Sequence, residues 1–336
     1  MARVVRFHEL GGPEVLRLEK HDLGMPGPGE VLLDVEAIGL NRAEANFRRD
    51  RYLDRVVALP SGLGYEGSGR VRCVGDEVHH VAPGDTVSVL PLFAQSRHHM
   101  YGEQAVVPAH AVIPRPPGVD AVTGAAVWMP YLTAYGALID IGRLQPGDTV
   151  VVTAASSSVG LAALQLARRA GALPIATTND PGKETRLAAA GAHLTLVPGR
   201  DDVTAQILDA THGAGARLVF DAVAGPGIED LAAATAHDGI VFVHGSLAGQ
   251  PTPLPGMHEM RPVYSRPYTV FEITGNDTRL ERAIAYISVG LADGAFVPTV
   301  DRAFDLTEIV AAHRYLEAGT QIGKIVVTVS PEEGQS

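Results

Sequence analysis

The chain has 336 residues, 46% of them hydrophobic and 19% charged, with a formal net charge of −11 and a pI of about 5.6. That length is comfortable for two domains, and the acidic balance argues against a nucleic-acid or anionic-membrane surface. The single cysteine, Cys73, rules out an internal disulfide and a multi-cysteine zinc cage, and no stretch reaches the roughly 18 to 20 apolar residues of a membrane-spanning helix. The opening MARVVRFHEL carries no apolar core of a secretory leader, so a cytoplasmic protein is expected.

Residues 1 to about 120 read as β-rich. Short Val- and Leu-rich runs (VVRF, VLRLEK, EVLLDVEAIGL, GSGRVRCVG, DTVSVL, EQAVVP) are separated by Gly/Pro turns such as Gly11-Gly12-Pro13 and Pro83-Gly84-Asp85. Many short strands of this kind predict a barrel or sandwich, with one short helix over Arg42 to Arg48. RPPGVD, Arg115 to Asp120, reads as a boundary. Ala121 to Asp140 then predicts two helices broken near Pro130.

Beyond that the period alternates. Val150 to Val152 is a β-branched run, Ala154 to Gly160 a small-residue turn, and Leu161, Leu164, Gln165 and Arg168 follow at helical spacing to Gly171. Leu173 to Thr177 is the next strand. Helices are expected over Gly182–Ala190, Val203–Thr211 and Gly227–Ala236, and strands over Leu194–Val197, Ala216–Asp221 and Gly239–Val243. Such alternation predicts an α/β doubly wound parallel sheet. Gln250 to Arg266 reads as long and irregular, a cover for a site or an interface. Helices over Thr278–Ala292 and Thr307–Ala318, a strand over Lys324–Val329 and a polar, frayed tail PEEGQS close the reading.

A strand, a turn of small residues and a helix N-terminus can hold a dinucleotide pyrophosphate on unpaired N–H groups. The G-x-G-x-x-G pattern, however, wants glycines where Ser156, Ser157 and Ser158 stand, and Gly160 alone remains. On the motif alone, nucleotide binding and an ordinary βα turn are both open.

Several segments in order resemble one family: GLNRAEANFRRDRY (with Glu44 where Asp is usual), GLGYEGSGRV, VAPGDTV, GEQAVVP, YLTAYGAL, AASSSVGLAALQLARRAGA and FDLTEIVAAHRYLEAGTQIGKIVVTV. Together they resemble the medium-chain dehydrogenase/reductases, in particular their zinc-free quinone oxidoreductase branch. The resemblance implies a GroES-like β-barrel catalytic domain over 1–123 plus 273–336 and an inserted Rossmann domain over 124–272. It also implies homodimers joined through edge strands. Zinc-bearing relatives place a Cys near Asn41 and a His where Tyr65 stands; neither ligand is here, so no metal is expected. His79-His80 and His98-His99 read as solvated loop histidines, and Cys73 as a small core residue.

The residues then bear on chemistry. NAD-binding units carry an acidic residue about 20 residues past the turn. Thr177, Thr178 and Asn179 hold that place here, with Lys183 and Arg186 close behind to pair with a 2′-phosphate, so NADP(H) is the expected cofactor. Asp180 is the opposing sign if it points inward. By carry-over from the family, Ser157, Ser158, Val159, Gly160, Gly245, Gly323 and Lys324 join Thr178, Lys183 and Arg186 as expected cofactor-binding positions, and Thr133 is expected near the nicotinamide. Asn41 and Tyr52 are expected to donate hydrogen bonds to the acceptor oxygen, with Tyr65 as a third catalytic position. Asn41 also reads as a turn residue bonding its own backbone, Tyr52 as a barrel-edge aromatic and Thr133 as an ordinary helix residue. Glu66 reads as a structural carboxylate and His313 as packing. Phe93, Trp128 and Tyr131 line an apolar pocket or fill the core. The expected activity is hydride transfer from NADPH to a small-molecule quinone or α,β-unsaturated carbonyl, with no nucleic-acid or membrane partner. An alcohol dehydrogenase-like enzyme, a pathway-specific enoyl reductase and a non-catalytic NADPH-binding protein are the alternatives.

Overall fold

The computed structural model describes residues 1–254 and 263–330. In chain order the first elements are β1 (Ala2–Phe7), β2 (Leu16–His21), β3 (Glu30–Gly39), α1 (Arg42–Phe47), β4 (Gly67–Val74), β5 (Thr86–Val89), β6 (Gln104–Pro108), β7 (Val112–Pro114), α2 (Ala121–Gly124) and α3 (Trp128–Tyr135). There follow β8 (Thr149–Val152), α4 (Ser158–Arg169), β9 (Leu173–Thr177), α5 (Glu184–Ala189), β10 (Leu194–Leu196), α6 (Val203–Ala210), β11 (Ala216–Asp221), α7 (Ile228–Ala233), β12 (Thr235–Val243), β13 (Tyr264–Pro267), α8 (Phe271–Thr274) and α9 (Asp277–Ala292). Then come β14 (Val300–Asp305), α10 (Ile309–Ala318) and β15 (Lys324–Thr328). The chain divides into two compact units, Met1–Met129 with Pro298–Ser336, and Pro130–Val297.

In the first unit, the described strands form a sheet of order β14-β15-β3-β4-β5-β7, with β6 on β3 and β1-β2 as a separate antiparallel pair. β15 pairs antiparallel with β3, Val326 opposite Gly39, so chain from both sides of the second unit completes one sheet. Ala37, Ala125, Ala126 and Val326 pack together as fully or nearly fully buried residues. Their small side chains bring α2 close to β3.

In the second unit the order is β10-β9-β8-β11-β12-β13, every pairing parallel, the doubly wound sheet that the alternation predicts. Val151, Ile175, Leu196, Val219 and Val241 from five strands pack against Val203 and Ile207 of α6 and Ile228 and Leu231 of α7. Each such side chain contributes roughly 1.5–3 kcal/mol on burial.

Several boundaries differ from the sequence reading. The break in the Ala-rich segment falls at 125–127, before Pro130, because Pro130 sits in the first turn of α3, where its missing N–H costs nothing. The helix expected to Ala236 ends at Ala233, and the strand expected from Gly239 begins at Thr235. β7, β13 and β14 carry too few consecutive apolar residues to be read as strands. The segment expected to be irregular over 250–266 ends in β13; residues 255–262, like the tail 331–336, lie outside the described residues. The second unit runs on to Val297, beyond the expected 272. Tyr286 of α9 meets Tyr135 at 5.3 Å and Phe296 at 5.8 Å between ring centroids. Arg169 of α4 lies over Phe296 at 5.3 Å and is paired with Asp293 at 2.8 Å. No helix among the described residues is long and apolar enough to cross a membrane.

Candidate active site

Of the cofactor-binding positions read from the sequence, Ser157 to Gly160 follow β8, Thr178, Lys183 and Arg186 follow β9, and Gly245 follows β12, while Thr133 lies in α3 and Gly323 and Lys324 at the start of β15. After β8 the chain turns through Ala154, whose φ of +44° is left-handed. Ser157 is the N-cap of α4, and its Oγ accepts the Gly160 N–H at 3.0 Å. The Ser158 and Val159 N–H groups, one and two places into the helix, have no acceptor within it, the arrangement of helix termini that can hold an anion. Ser157 therefore supplies a helix cap where the family has glycine. A Cβ on Gly160 would lie 2.6–2.7 Å from the Ala155 backbone, so this glycine keeps α4 close to the turn. Its role is close packing. Replacing Ala154 by Gly should raise stability by about 1 kcal/mol, because a left-handed residue with a Cβ is strained; a denaturant midpoint that does not rise would contradict this.

Lys183 is buried, and its ammonium donates to Ser156 Oγ at 3.3 Å, which brings the expected phosphate-binding cation to the turn itself. Arg186 lies on the exposed face of α5. Asp180 is exposed, and its carboxylate caps the short turn after β9 by accepting the Gly182 N–H at 2.9 Å. It thus spends its charge locally. Thr178 is buried and its hydroxyl accepts the Asp180 N–H at 3.2 Å, which makes it first a turn residue. Beside the turn, Thr153 Oγ1 donates to Asp221 Oδ1 at 2.6 Å, and Asp221 also accepts the Val223 and Ala224 N–H groups at 2.9 Å. This fully buried carboxylate knits the ends of β8 and β11, and nothing in its local sequence signalled it. A Cβ on Gly245 would lie 2.5 Å from the Ala222 carbonyl oxygen, so Gly245 permits a close backbone approach there. His244 stacks on Phe220 at 3.9 Å, and burial lowers its pKa to about 3. Thr133 is buried within α3.

The first unit gathers the other candidates around the start of α1. Asn41 is the N-cap of α1 and 8% exposed. Its Oδ1 accepts the Lys324 ammonium at 2.6 Å; its Nδ2 donates to the Gly39 carbonyl at 3.1 Å and to Glu44 Oε1 at 3.3 Å. The same ammonium donates to Glu66 Oε2 at 2.6 Å, and Glu66 Oε1 accepts the Met129 N–H at 2.8 Å. Lys324, expected near the cofactor, is paired here with Glu66, with both side chains at most 1% exposed. Asn41 was expected to donate to an acceptor oxygen; its amide is engaged on both sides by the protein. Gly323 has φ of +113°, and a Cβ there would lie 2.3 Å from the Thr299 carbonyl oxygen, so it admits a close backbone contact.

Tyr65 is fully buried, with its ring 6.1 Å from Tyr52 and 6.0 Å from Phe93. Tyr52 is half-buried, and burial pushes its hydroxyl pKa up, which favours the protonated, donating form. Trp128 and Tyr131 are buried, and the Tyr131 hydroxyl donates to Gln165 Oε1 at 2.7 Å. His313 has a packing role: its Nδ1 lies 2.9 Å from the buried Arg48 guanidinium, and its ring packs on Tyr101 at 5.6 Å. Of the four loop histidines, His79 and His80 are exposed, whereas His98 and His99 are half-buried, and burial lowers the His99 pKa to about 4. His98 is held edge-on against Phe93 at 5.9 Å, which accounts for its shelter. Cys73 is half-buried in β4.

Family models match over two stretches, "Alcohol dehydrogenase GroES-like domain" at residues 27–134 and "Zinc-binding dehydrogenase" at residues 190–327. The donor set does not fit a catalytic zinc. An amide and a phenol stand at the ligand positions, and an ammonium already neutralises Glu66. Among the described residues no group of three or more His, Cys, Asp or Glu side chains is placed to hold a metal ion. The chain is 31% identical over 335 residues to the quinone oxidoreductase of Pseudomonas aeruginosa, covering 97% of this chain and 99% of the relative. A crystal structure of the Pseudomonas syringae pv. tomato quinone oxidoreductase superposes with a TM-score of 0.88 at 28% identity, covering 98% of this chain and 100% of that one. The Escherichia coli quinone oxidoreductase complexed with NADPH superposes with a TM-score of 0.87 at 25% identity, covering 97% and 99%. The chain belongs to the medium-chain dehydrogenase/reductase superfamily, in its zinc-free quinone oxidoreductase-like branch.

Proposed function

We propose that this protein is an NADPH-dependent oxidoreductase that reduces a quinone or an α,β-unsaturated carbonyl compound without a metal. The observation that carries the reading is the α4 turn, where the Ser157-capped helix terminus after β8 meets the buried Lys183 ammonium from the turn after the neighbouring strand β9, while Asp180 turns its charge to its own backbone. That arrangement suits two phosphates of different position: the pyrophosphate on the helix N–H groups and the 2′-phosphate on Lys183. NADPH supplies the hydride when bound. The second unit's part is to hold the phosphates, with Gly245 and Thr133 as further cofactor positions, and the first unit's is to offer the Tyr52 hydroxyl to the oxygen that gains charge. Quinones and enones suit such a site because charge spreads to an oxygen that one hydrogen bond can stabilise. The names of the relatives, quinone oxidoreductases of similar length and fold, support the same substrate class. β13 is a sheet edge, and we propose it as the joint of a homodimer, which light scattering would test.

Replacing Lys183 by Ala should weaken NADPH binding about 10- to 100-fold, the worth of a charge-assisted contact, and leave NADH binding within about 2-fold. Fluorescence titration with both nucleotides reads this directly. Equal losses for the two would remove the 2′-phosphate role. Stopped-flow mixing of NADPH with a quinone panel tests the activity, and binding without turnover of any acceptor would leave only a nucleotide-binding protein.

A further inference from the structure

We infer that Glu44 is a positioning residue for the reduction, acting through Asn41 and Tyr65; the inference rests on the reductase reading above. Glu44 is the third residue of α1 and fully buried. Its Oε2 accepts the Asn41 N–H at 2.8 Å, and its Oε1 accepts both Asn41 Nδ2 at 3.3 Å and the Tyr65 N–H at 3.4 Å. One carboxyl group thus caps α1, sets the edge of the Asn41 amide and ties the chain at Tyr65 to the helix.

The length of the side chain matters. A Glu three residues past an N-cap reaches back to the cap N–H in the capping-box geometry. Asp, the usual residue in the family, is one methylene shorter and cannot make the same span. The Tyr65 ring in turn packs on Tyr52 and Phe93, so the strap from Glu44 to the Tyr65 backbone sets the aromatic surface from which Tyr52 presents its hydroxyl. On the other side of Asn41, Lys324 holds Oδ1, which fixes the amide so that Nδ2 faces the carboxylates.

The charge balance makes the strap proton-sensitive. Two buried carboxylates, Glu44 and Glu66, surround one ammonium, Lys324. The groups facing Glu44 are Lys324 of β15, Tyr65 and Glu66 ahead of β4, Tyr52 in the loop after α1, Tyr101 ahead of β6 and Asn41 itself. Burial raises the Glu44 pKa to about 7, against the pull of Lys324 and the N–H donors. When Glu44 takes a proton, one acceptor lone pair is lost and the hold on Asn41 and Tyr65 loosens.

The test compares wild type with Glu44→Gln and Glu44→Asp from about pH 5.5 to about pH 8.5. Two readouts are needed: near-ultraviolet circular dichroism of the tyrosines without substrate, and kcat with NADPH and 1,4-benzoquinone. Wild type should show a near-ultraviolet step and a kcat limb with a shared midpoint near neutrality. Glu44→Gln should lose both and fall about 10-fold in kcat at high pH, with the NADPH Kd within about 2-fold. Glu44→Asp should keep the titration with a smaller kcat. A near-ultraviolet signal flat with pH in wild type, or a Gln variant whose kcat falls equally at every pH with the step intact, overturns the inference. If the step is present and lost in Glu44→Gln while no acceptor is reduced by wild type, the strap stands and the reductase reading fails.

Discussion

Replacing Lys324 by Met should lower the folding free energy by about 3–5 kcal/mol, because it removes one partner of a buried ion pair and leaves an uncompensated charge. Glu66 and Glu44 are both fully buried, and Lys324 is the ammonium that lies among them. A partnerless buried carboxylate must ionise at high cost or take a proton, and either outcome takes free energy from the native state. The double variant Lys324→Met/Glu66→Gln should recover much of the loss. It removes the Glu66 charge while a Gln oxygen can still accept the Met129 N–H, and contacting residues of this kind couple rather than add. Urea unfolding of the three proteins measures the cycle. A single variant that loses less than about 1 kcal/mol would show that the pair contributes little to folding.

The second large effect is a pH-dependent stability that Glu44→Gln should abolish. Burial raises the Glu44 pKa from 4.5 to about 7, so the folded state binds the proton more tightly than the unfolded chain. The resulting stabilisation is full below about pH 4.5 and is lost as pH rises through about 7. It amounts to roughly 3 kcal/mol in total, of which about 1.4 kcal/mol falls between pH 6 and pH 8. His99, His244 and His313 work in the opposite direction. Burial lowers their pKa values to about 4, 3 and 3, so they favour the folded state above the unfolded histidine pKa and destabilise it as pH falls. The two tendencies overlap between pH 6 and 8, which is why the variant is needed. The difference between wild type and Glu44→Gln should grow by about 1.4 kcal/mol across that window in chemical denaturation. A constant difference would show that Glu44 does not titrate in that window.

Much of the architecture was legible because its signals are local. The Val150–Val152 run, the small turn and the period of α4 are read within one stretch, and the alternation that follows dictates a parallel sheet. Ser157 was read only as a substitute for glycine, although its residue type and place also suit the N-cap that it forms. The chemistry of the first unit was harder. Lys324 and Asn41 are 283 positions apart, and Lys324 and Glu66 are 258 apart, so no window of sequence shows that they share a charge. Lys183 could be read as a cation near a phosphate, but not as a buried one resting on Ser156. The Glu44 strap did leave a sign, the Asn-x-x-Glu spacing of a capping box, which was noted only as a departure from the family. β14, VDRAFD, was missed because its partner β15 supplies the apolar content of that pair.

The pairing of β15 with β3 bears on how the protein is made. During synthesis, β3, α1, Glu44 and Glu66 leave the ribosome long before Lys324, and the whole contiguous unit Pro130–Val297 is made in between. The second unit can fold as soon as it emerges, since its strands pair among themselves. The first unit must wait with the Ala37–Gly39 end of β3 unpaired along one edge and two carboxylates without their ammonium. Nascent chains released before β15 should therefore hold a folded nucleotide-binding unit beside an unfinished barrel, a state with an exposed strand edge that invites chaperones or aggregation.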